Sequence, residues 1–184
     1  LFRSLMVDSV EQLDFIESVV GTGGPQLRIC LDLDASLRLL GGRVHLGTRR
    51  SPLHNPASTV AVARDLLDRP RFTLVGVMAY EAQIAGVGDD AGSVLQKVQI
   101  RGMQAVSARE LRERRAAVVA AVREVAPLEF VNGGGTGSIA ATASEDAITE
   151  VAAGSGLYCP TLFDGYRHLN LHPSAYFVTS VVRR

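Results

Sequence analysis

The residues best suited to binding chemistry lie in the segment FVNGGGTGS, residues 130–138, where an apolar run passes into three consecutive glycines. Glycine costs roughly 0.5–1 kcal/mol relative to alanine inside regular structure, so Gly133, Gly134 and Gly135 indicate that another group approaches the backbone closely. Amide groups free of side chains can converge on an anion, and the Thr136 hydroxyl would add a donor. The segment therefore predicts a phosphate site. A tight turn that uses glycine for positive φ is the alternative, since the spacing matches neither a Walker A loop nor a dinucleotide fingerprint.

Alternating apolar and helical patterns supply the elements that must position this segment. The sequence predicts strands at 1–8, 27–33, 72–78, 128–132 and 149–153. It predicts helices at 10–20, 56–68 and 99–125, a short helix opened by a capping box at 142–145, and an irregular stretch before Leu53. Apolar strands separated by helices favour parallel pairing with both faces buried. Two α/β arrangements fit this order, an open doubly wound sheet or consecutive units of a (β/α)8 barrel.

In both arrangements, ligands bind at the carboxyl ends of the strands. Those ends carry Asp8, Asp32 with Asp34, residues 79–81, residues 132–136, and Gly154 with Ser155, which together form one candidate site. Asp32 and Asp34 lie on one face of their strand and could act as an acid and base pair. We favour structural hydrogen bonding to backbone groups or to an arginine.

Composition limits the partners and the cellular location. The 184 residues include 19 basic and 19 acidic side chains, which gives no electrostatic footprint for nucleic acid or an anionic membrane. No apolar run approaches the ~20 residues of a membrane span and no secretory pattern opens the chain, so a cytoplasmic location is expected. Cys30 and Cys159 are expected to be reduced, buried thiols. The four histidines have no metal-ligand spacing, so no metal site is predicted in this chain.

Four motifs carry a resemblance to a known group of enzymes. These are HLGTRRSPL at 45–53, GVMAYEAQ at 76–83, FVNGGGTGS at 130–138 and EVAAGSGLY at 150–158. In this order the chain resembles the D-threonine aldolase and alanine racemase-like group of pyridoxal-phosphate enzymes, the barrel enzymes of fold type III. The resemblance covers residues 1 to about 166. It implies an α/β fold that is a partial (β/α)8 (TIM-type) barrel, like the alanine racemase N-terminal domain, with about five parallel strands.

The resemblance also implies how the cofactor would be held. It places the phosphate at Gly133, Gly134, Gly135, Thr136, Gly154 and Ser155, and Asn132, at the end of the strand before them, is also expected to bind the cofactor. Arg50 stands where an arginine of the family meets the phenolic oxygen of the pyridine ring, although Pro52 replaces a family glycine and Arg49 is a neighbouring candidate. Tyr80 stands where a side chain lies against the ring face. The alternatives are that Arg50 is an exposed loop cation and that Tyr80 packs at the barrel rim.

The Schiff-base lysine that such enzymes need is not expected among these residues. Lys97 is the single lysine, and its position between the third strand and the long helix predicts a solvated side chain. In the resembling family the reactive lysine lies on the first barrel strand. A C-terminal β domain with metal ligands, the expected place for any divalent metal, would begin near 175–184. We therefore expect a fragment with the first strands missing, in which 1–173 form a partial barrel and 174–184 begin a truncated second domain.

The expected function follows from the resemblance. The parent protein is expected to be a pyridoxal 5'-phosphate-dependent aldolase or racemase, a lyase or isomerase of amino acid metabolism, with an amino acid as substrate. This fragment alone is expected to be inactive. A noncatalytic protein that binds pyridoxal phosphate or another phosphate ligand is one alternative, and an unrelated barrel enzyme with a phosphorylated substrate is another. Open sheet edges predict a homo-oligomer or self-association.

Overall fold

A five-stranded parallel sheet organises the chain in a computed structural model that describes residues 3–183. Its strands, in spatial order, are β1 (Leu5–Val7), β2 (Leu27–Asp32), β5 (Phe72–Ala79), β6 (Phe130–Gly133) and β7 (Glu150–Val151). Two further strands, β3 (Leu37–Leu39) and β4 (Val44–Leu46), pair antiparallel as a separate hairpin. Within the described residues β1 pairs only with β2, and β7 pairs only with β6, so the sheet is open. The predicted parallel sheet is confirmed, in the form of an unclosed barrel.

Within residues 3–183, five α-helices connect these strands. They are α1 (Val10–Val20), α2 (Pro56–Leu67), α3 (Ala82–Ala85), α4 (Val94–Arg123) and α5 (Ile139–Ala143). The predicted caps of the first two long helices are confirmed, because the side chains of Ser9 and Asn55 accept hydrogen bonds from the first-turn amides of Gln12 and Ser58. The structure therefore begins both helices where their capping residues lie.

The core lies between the sheet and helices α2 and α4. Strand β2 is buried from Ile29 to Asp32, with Ile29 and Leu31 packed in the main cluster and Cys30 packed with Val75 and Phe130. Helix α4 turns one apolar face inward at i, i+3 and i+4 spacing, and this face carries Leu111, Val118 and Val122. These side chains pack in one cluster with Ile29, Leu31, Val77 and residues of α2. This packing fixes the carboxyl ends of β2, β5 and β6 relative to each other.

Several predicted boundaries are wrong. The stretch before Leu53 contains the β3–β4 hairpin, and α4 begins at Val94 instead of residue 99, because Ser93 and Gln96 form a capping box. The capping box predicted at 142–145 does not exist, since Thr142 lies inside α5 and Glu145 follows it. The first strand was predicted at 1–8, and Leu1 and Phe2 lie outside the described residues. For the hairpin and for the start of α4, cross-strand pairing and a capping box outweigh the apolar pattern.

The prediction of reduced, buried cysteines is confirmed. Cys30 and Cys159 are both free thiols, and both are buried. Burial in the sheet raises the pKa of Cys30 to about 12, because the thiolate would lose its hydration there.

The carboxyl-terminal residues carry no regular structure in the part described. Residues 174–183 are exposed and contain no helix or strand, and Arg184 lies outside the described residues. A second domain beginning at 174 therefore stays a prediction. No helix within residues 3–183 has the length and apolar character required to cross a membrane.

The open edge at β1 leads to a prediction about association. Leu5 and Met6 are exposed there, and an unpaired parallel edge offers free N–H and C=O groups to another chain. We expect concentration-dependent self-association in sedimentation velocity, and we expect Met6→Lys to weaken it because a charged edge resists pairing. Val106→Lys, at an exposed position of α4, serves as the matched control and should change little. A clean monomer at high concentration would contradict this expectation.

Candidate functional site

A cavity of about 480 Å3 opens at the carboxyl ends of β5 and β6. Residues that follow these strands supply one side of it, and a later segment that includes Leu162, Phe163 and Tyr166 supplies apolar surface. Eight of the nine predicted cofactor residues line it, namely Arg50, Tyr80, Asn132, Gly134, Gly135, Thr136, Gly154 and Ser155. Gly133 is the exception, because it lies inside β6 and pairs with Ala79 and Val151 on the two adjacent strands. The structure thus brings residues from all four motifs into one place.

The glycine triplet itself makes internal contacts. The amide of Gly134 donates a hydrogen bond to Glu81 Oε2 at 3.1 Å, and the amide of Gly135 donates to Ser138 Oγ at 3.1 Å. These two amides are therefore occupied by protein acceptors. The expectation that consecutive glycine amides converge on an anion is corrected by these two bonds.

Close packing of protein atoms explains why glycine is needed here. Gly134 has a φ of +86°, and a Cβ atom on it would lie 2.7 Å from Val151 Cγ1. A Cβ atom on Gly135 would lie 2.8 Å from Ala85 Cβ and 2.9 Å from Tyr80 Cε2. The groups that approach this backbone closely therefore include β7, α3 and the Tyr80 ring. The sequence correctly indicated a close approach but did not reveal its source.

Hydrogen-bond donors for a ligand come from the next residues. The hydroxyl groups of Thr136 and Ser155 lie 2.8 Å apart, which joins the loop after β6 to the loop after β7. Among residues 3–183, the amides of Thr136, Gly154 and Ser155 have no hydrogen-bond acceptor. A Cβ atom on Gly154 would have open space around it, with no atom within 4 Å. Because one hydroxyl donates to the other, one hydroxyl proton and three amides in this region are left to serve an anion.

Arg50 is held beside Tyr80 at the same cavity. Its Nε donates a hydrogen bond to Asp32 Oδ2 at 2.9 Å, and its guanidinium carbon lies 5.8 Å from the centre of the Tyr80 ring. Burial raises the pKa of Asp32, while the nearby charge of Arg50 acts in the opposite direction. Arg49 does not line this cavity, so the geometry distinguishes the two adjacent arginines.

The structural interpretation of the two aspartates is confirmed. Asp32 orients Arg50, and Asp34 accepts hydrogen bonds from the Ser36 amide at 2.9 Å and from Arg38. The bond from Ser36 lowers the pKa of Asp34 against the opposing effect of burial. Both carboxylates therefore fix loop residues after β2.

A buried ionic network beneath the glycines was not predicted. Arg115 of α4 forms ion pairs with Glu81 at 3.0 Å and Glu145 at 2.9 Å, and its side chain is 0% exposed. Glu81 also accepts hydrogen bonds from the Gly134 amide, the Ser138 hydroxyl and the Thr142 hydroxyl. A sequence signal did exist, because Arg115 interrupts the apolar face of α4 between Leu111 and Val118. The network connects the long helix to the loop that carries Thr136.

The apolar surface of the cavity was also not predicted from the sequence. The rings of Phe163 and Tyr166 lie 5.3 Å apart, and the Tyr166 hydroxyl donates to the Ala85 carbonyl oxygen at 2.9 Å. Burial raises the pKa of Tyr166. At another part of the lining, Asn132 Nδ2 donates to Glu150 Oε1 at 2.7 Å. The aromatic pair therefore shields the cavity from water on the side of α3.

Lys97 lies outside this arrangement. Its Nζ is 3.2 Å from Asp90 Oδ1, its side chain is 30% exposed, and it does not line the cavity. Within residues 3–183, no three His, Cys, Asp or Glu side chains are placed to hold a metal ion.

Comparison with solved structures identifies similar folds. No protein-family model and no curated protein sequence matches the chain. D-threonine aldolase from Filomicrobium marinum superposes with a TM-score of 0.69 at 16% identity, over 95% of this chain and 40% of that one. D-threo-3-hydroxyaspartate dehydratase from Delftia sp. HT23 gives a TM-score of 0.58 at 23% identity, over 86% and 37%. An alanine racemase from Bacillus anthracis with bound L-Ala-P gives 0.51 at 15% identity, over 84% and 33%.

The coverage and the sequence identity of these matches limit what they establish about this chain. The chain spans no more than about two fifths of the length of these three proteins, and identities of 15–23% establish the fold alone. The resemblance seen in the four motifs is confirmed at that level. The chain therefore has the fold of part of an alanine racemase-like barrel, which it shares with D-threonine aldolase, D-threo-3-hydroxyaspartate dehydratase and alanine racemase.

Proposed function

We propose that this chain is part of a pyridoxal-phosphate-dependent enzyme of the aldolase or racemase type, and that its cavity binds the cofactor. The observation that carries the proposal is the juxtaposition of the Thr136 and Ser155 hydroxyls with Arg50 and Tyr80 in one cavity. Its volume of about 480 Å3 lies within the range of roughly 300–1,000 Å3 typical of ligand pockets. The residues present fit a phosphorylated aromatic ring.

The phosphate group would bind to the loops after β6 and β7. The free amides of Thr136, Gly154 and Ser155 can each donate a hydrogen bond to a phosphate oxygen, and the Thr136–Ser155 hydroxyl pair can donate the one O–H that its mutual hydrogen bond leaves free. Thr136 is the first residue of the short 3-10 helix Thr136–Ser138, so its amide has no acceptor within that helix. In barrels of this class the phosphate commonly lies among the loops after the last strands.

Arg50 and Tyr80 would hold the ring. Because Asp32 engages only Nε of Arg50, the two terminal nitrogens remain available to donate to an oxygen substituent of the ring. Tyr80 offers an aromatic face beside the same guanidinium. When bound, pyridoxal phosphate supplies an electron-withdrawing ring that stabilises negative charge at Cα of an amino acid. Phe163 and Tyr166 would supply apolar surface on one side of the ring.

The covalent linkage to a lysine is proposed to involve a residue outside this chain. Lys97 is paired with Asp90 and does not line the cavity, so it is not placed to reach the ring. The position of Lys97 outside the cavity also favours a second candidate function, a noncatalytic unit that binds pyridoxal phosphate. Borohydride reduction of the longer gene product separates the two, because a trapped covalent adduct there supports the enzyme and no adduct supports the carrier.

Pyridoxamine 5'-phosphate provides a direct test of the site in this chain. It carries no aldehyde and cannot react with Lys97, so its binding reports the cavity alone. We expect it to bind, and we expect pyridoxamine without phosphate to bind at least about tenfold more weakly, since a charged hydrogen bond contributes roughly 1.5–3 kcal/mol. Thr136→Val and Ser155→Ala should each weaken binding about tenfold in isothermal titration.

A matched control identifies nonspecific effects. Thr73 lies near the amino end of β5, away from the cavity, where its hydroxyl donates to Gln26 at 3.0 Å. Thr73→Val should leave the affinity unchanged. The proposal fails if pyridoxamine 5'-phosphate does not bind to folded protein, or if the two hydroxyl variants bind it as tightly as the unmodified chain.

A further inference from the structure

A second cavity, of about 400 Å3, lies beside the first and is strongly basic. The β3–β4 hairpin and the segment that follows it form its lining, which consists of Arg38, Gly42, His45, Arg49, Arg50, Ser51 and Pro52. Arg50 lines both cavities, so a molecule bound in the first could extend past this guanidinium into the second. We call this second space the hairpin cavity.

Positive charge exceeds negative charge around the hairpin cavity. Arg38 is paired with Asp34, and Arg50 is paired with Asp32. Within residues 3–183, Arg49 forms no ion pair and no side-chain hydrogen bond. The lining therefore contains three guanidinium groups and only two carboxylate partners, and one arginine is left to attract an anion from solution.

The hairpin register places a further unsatisfied group there. Arg38 lies directly opposite His45 in the antiparallel pair, so the two side chains are cross-strand neighbours. Nε2 of His45 is buried and has no hydrogen-bond partner. A buried polar atom without a partner costs roughly 1–3 kcal/mol, which a ligand oxygen or N–H group could offset. Arg38 and Arg49 are exposed, so the hairpin cavity is open to solvent, and the buried Nε2 of His45 lies in its lining.

A carboxylate fits these groups best. Guanidinium groups bind planar carboxylates through two parallel hydrogen bonds, and Arg49 has all its donors available. The cofactor phosphate is already provided for by Thr136 and Ser155 in the first cavity, so the hairpin cavity would serve a different anionic group. A group that reaches it past Arg50 must belong to a molecule attached at, or stacked on, the ring.

We propose that the hairpin cavity binds the side-chain carboxylate of an acidic amino acid substrate, with Arg49 as the principal partner and Arg38 and His45 beside it. This inference rests on the proposed function, since the first cavity must hold the cofactor to which the amino acid is joined. It assigns the chain a preference for substrates with two carboxylates over substrates with one.

Adducts in which the cofactor and the amino acid are already joined by a reduced C–N bond test this proposal, because they bind without a reactive lysine. N-(5'-phosphopyridoxyl)aspartate and N-(5'-phosphopyridoxyl)alanine share the phosphate, the ring and the α-carboxylate, and differ in the second carboxylate. Both enantiomers of each are titrated, and the tighter enantiomers are compared. We expect the aspartate adduct to bind about tenfold or more tightly than the alanine adduct, and we expect Arg49→Gln to abolish that difference without changing the affinity for the alanine adduct.

Two controls separate a specific contact from general charge. Arg49→Lys should keep part of the preference, because it keeps the charge but not the planar fork. Arg43→Gln removes an exposed arginine near the same hairpin that does not line the cavity, and it should keep all of the preference. Equal affinity for the two adducts, or a preference that survives Arg49→Gln, would overturn this inference and leave the proposed cofactor site standing. If neither adduct binds, the proposed cofactor site is wrong and the inference falls with it.

Discussion

Replacing Arg115 with alanine is expected to lower the free energy of unfolding by about 3–5 kcal/mol, because the change leaves buried charges without a partner. Its guanidinium is 0% exposed and forms ion pairs with Glu81 at 3.0 Å and with Glu145 at 2.9 Å. It also donates to the Ala79 carbonyl oxygen at 3.3 Å, at the end of β5. Removal would strand two carboxylates in the interior and loosen the loop after β6.

Chemical denaturation of matched variants measures this cost. Arg109→Ala is the control on the same helix, since its side chain is 86% exposed and its pair with Glu113 is worth at most about 0.5 kcal/mol. A triple variant with Arg115→Met, Glu81→Gln and Glu145→Gln should recover part of the stability, because no buried charge is left unpaired. The importance of the network is refuted if Arg115→Ala and Arg109→Ala cost the same.

The cost of Arg115→Ala should also depend on pH. Burial raises the pKa of Glu145, and the charge of Arg115 opposes this rise. Without Arg115 the pKa of Glu145 should rise further. A carboxyl group whose folded pKa exceeds its unfolded value stabilises the fold fully below the unfolded pKa, and that contribution is lost as pH rises through the folded pKa. The variant should therefore lose less stability, relative to the unmodified chain, near pH 4.5 than near pH 7.5.

Local chemistry explains which parts of the fold could be predicted. Ser9 and Asn55 cap their helices through side-chain bonds to residues three positions away, so short windows of sequence contain the whole signal. The same holds for the apolar strands that precede Tyr80 and Gly134 and place them at the carboxyl edge of the sheet. Predicting a site at that edge required only the order of strands and helices.

Long-range contacts explain what could not be predicted. Glu81 accepts from the Gly134 amide across 53 positions of sequence, and no local pattern shows that this carboxylate occupies the amide that an anion was expected to use. The β3–β4 hairpin has only three residues in each strand, too few for an apolar alternation to stand out. The apolar wall of Phe163 and Tyr166 depends on how a later segment folds back over α3. Each of these features is a property of the tertiary packing.

Gly137→Ala is the second change expected to have a large effect, because a single methyl group would collide with backbone. A Cβ atom on Gly137 would lie against the Ala85 carbonyl oxygen and the Tyr166 ring, closer than normal contact distance. The carbonyl oxygen belongs to α3 and cannot rotate away as a flexible side chain could. The loop would have to move, and the 2.9 Å hydrogen bond from Tyr166 to Ala85 would be lost with it. We expect a loss of about 2–4 kcal/mol in the free energy of unfolding.

Gly102→Ala provides a control of opposite sign. Gly102 lies inside α4, and a Cβ atom there would have no atom of another part of the chain within 4 Å. Alanine should stabilise the helix at this position by about 0.5–1 kcal/mol. The two substitutions add the same methyl group, so their difference isolates the packing of Gly137. Because Gly137 follows Thr136 directly, displacement of the loop should also weaken binding of pyridoxamine 5'-phosphate by more than tenfold, even where the variant is folded. Unchanged stability and affinity in Gly137→Ala would mean that the loop is not packed between α3 and Tyr166, and the cavity would then lack the fixed donors on which phosphate binding depends.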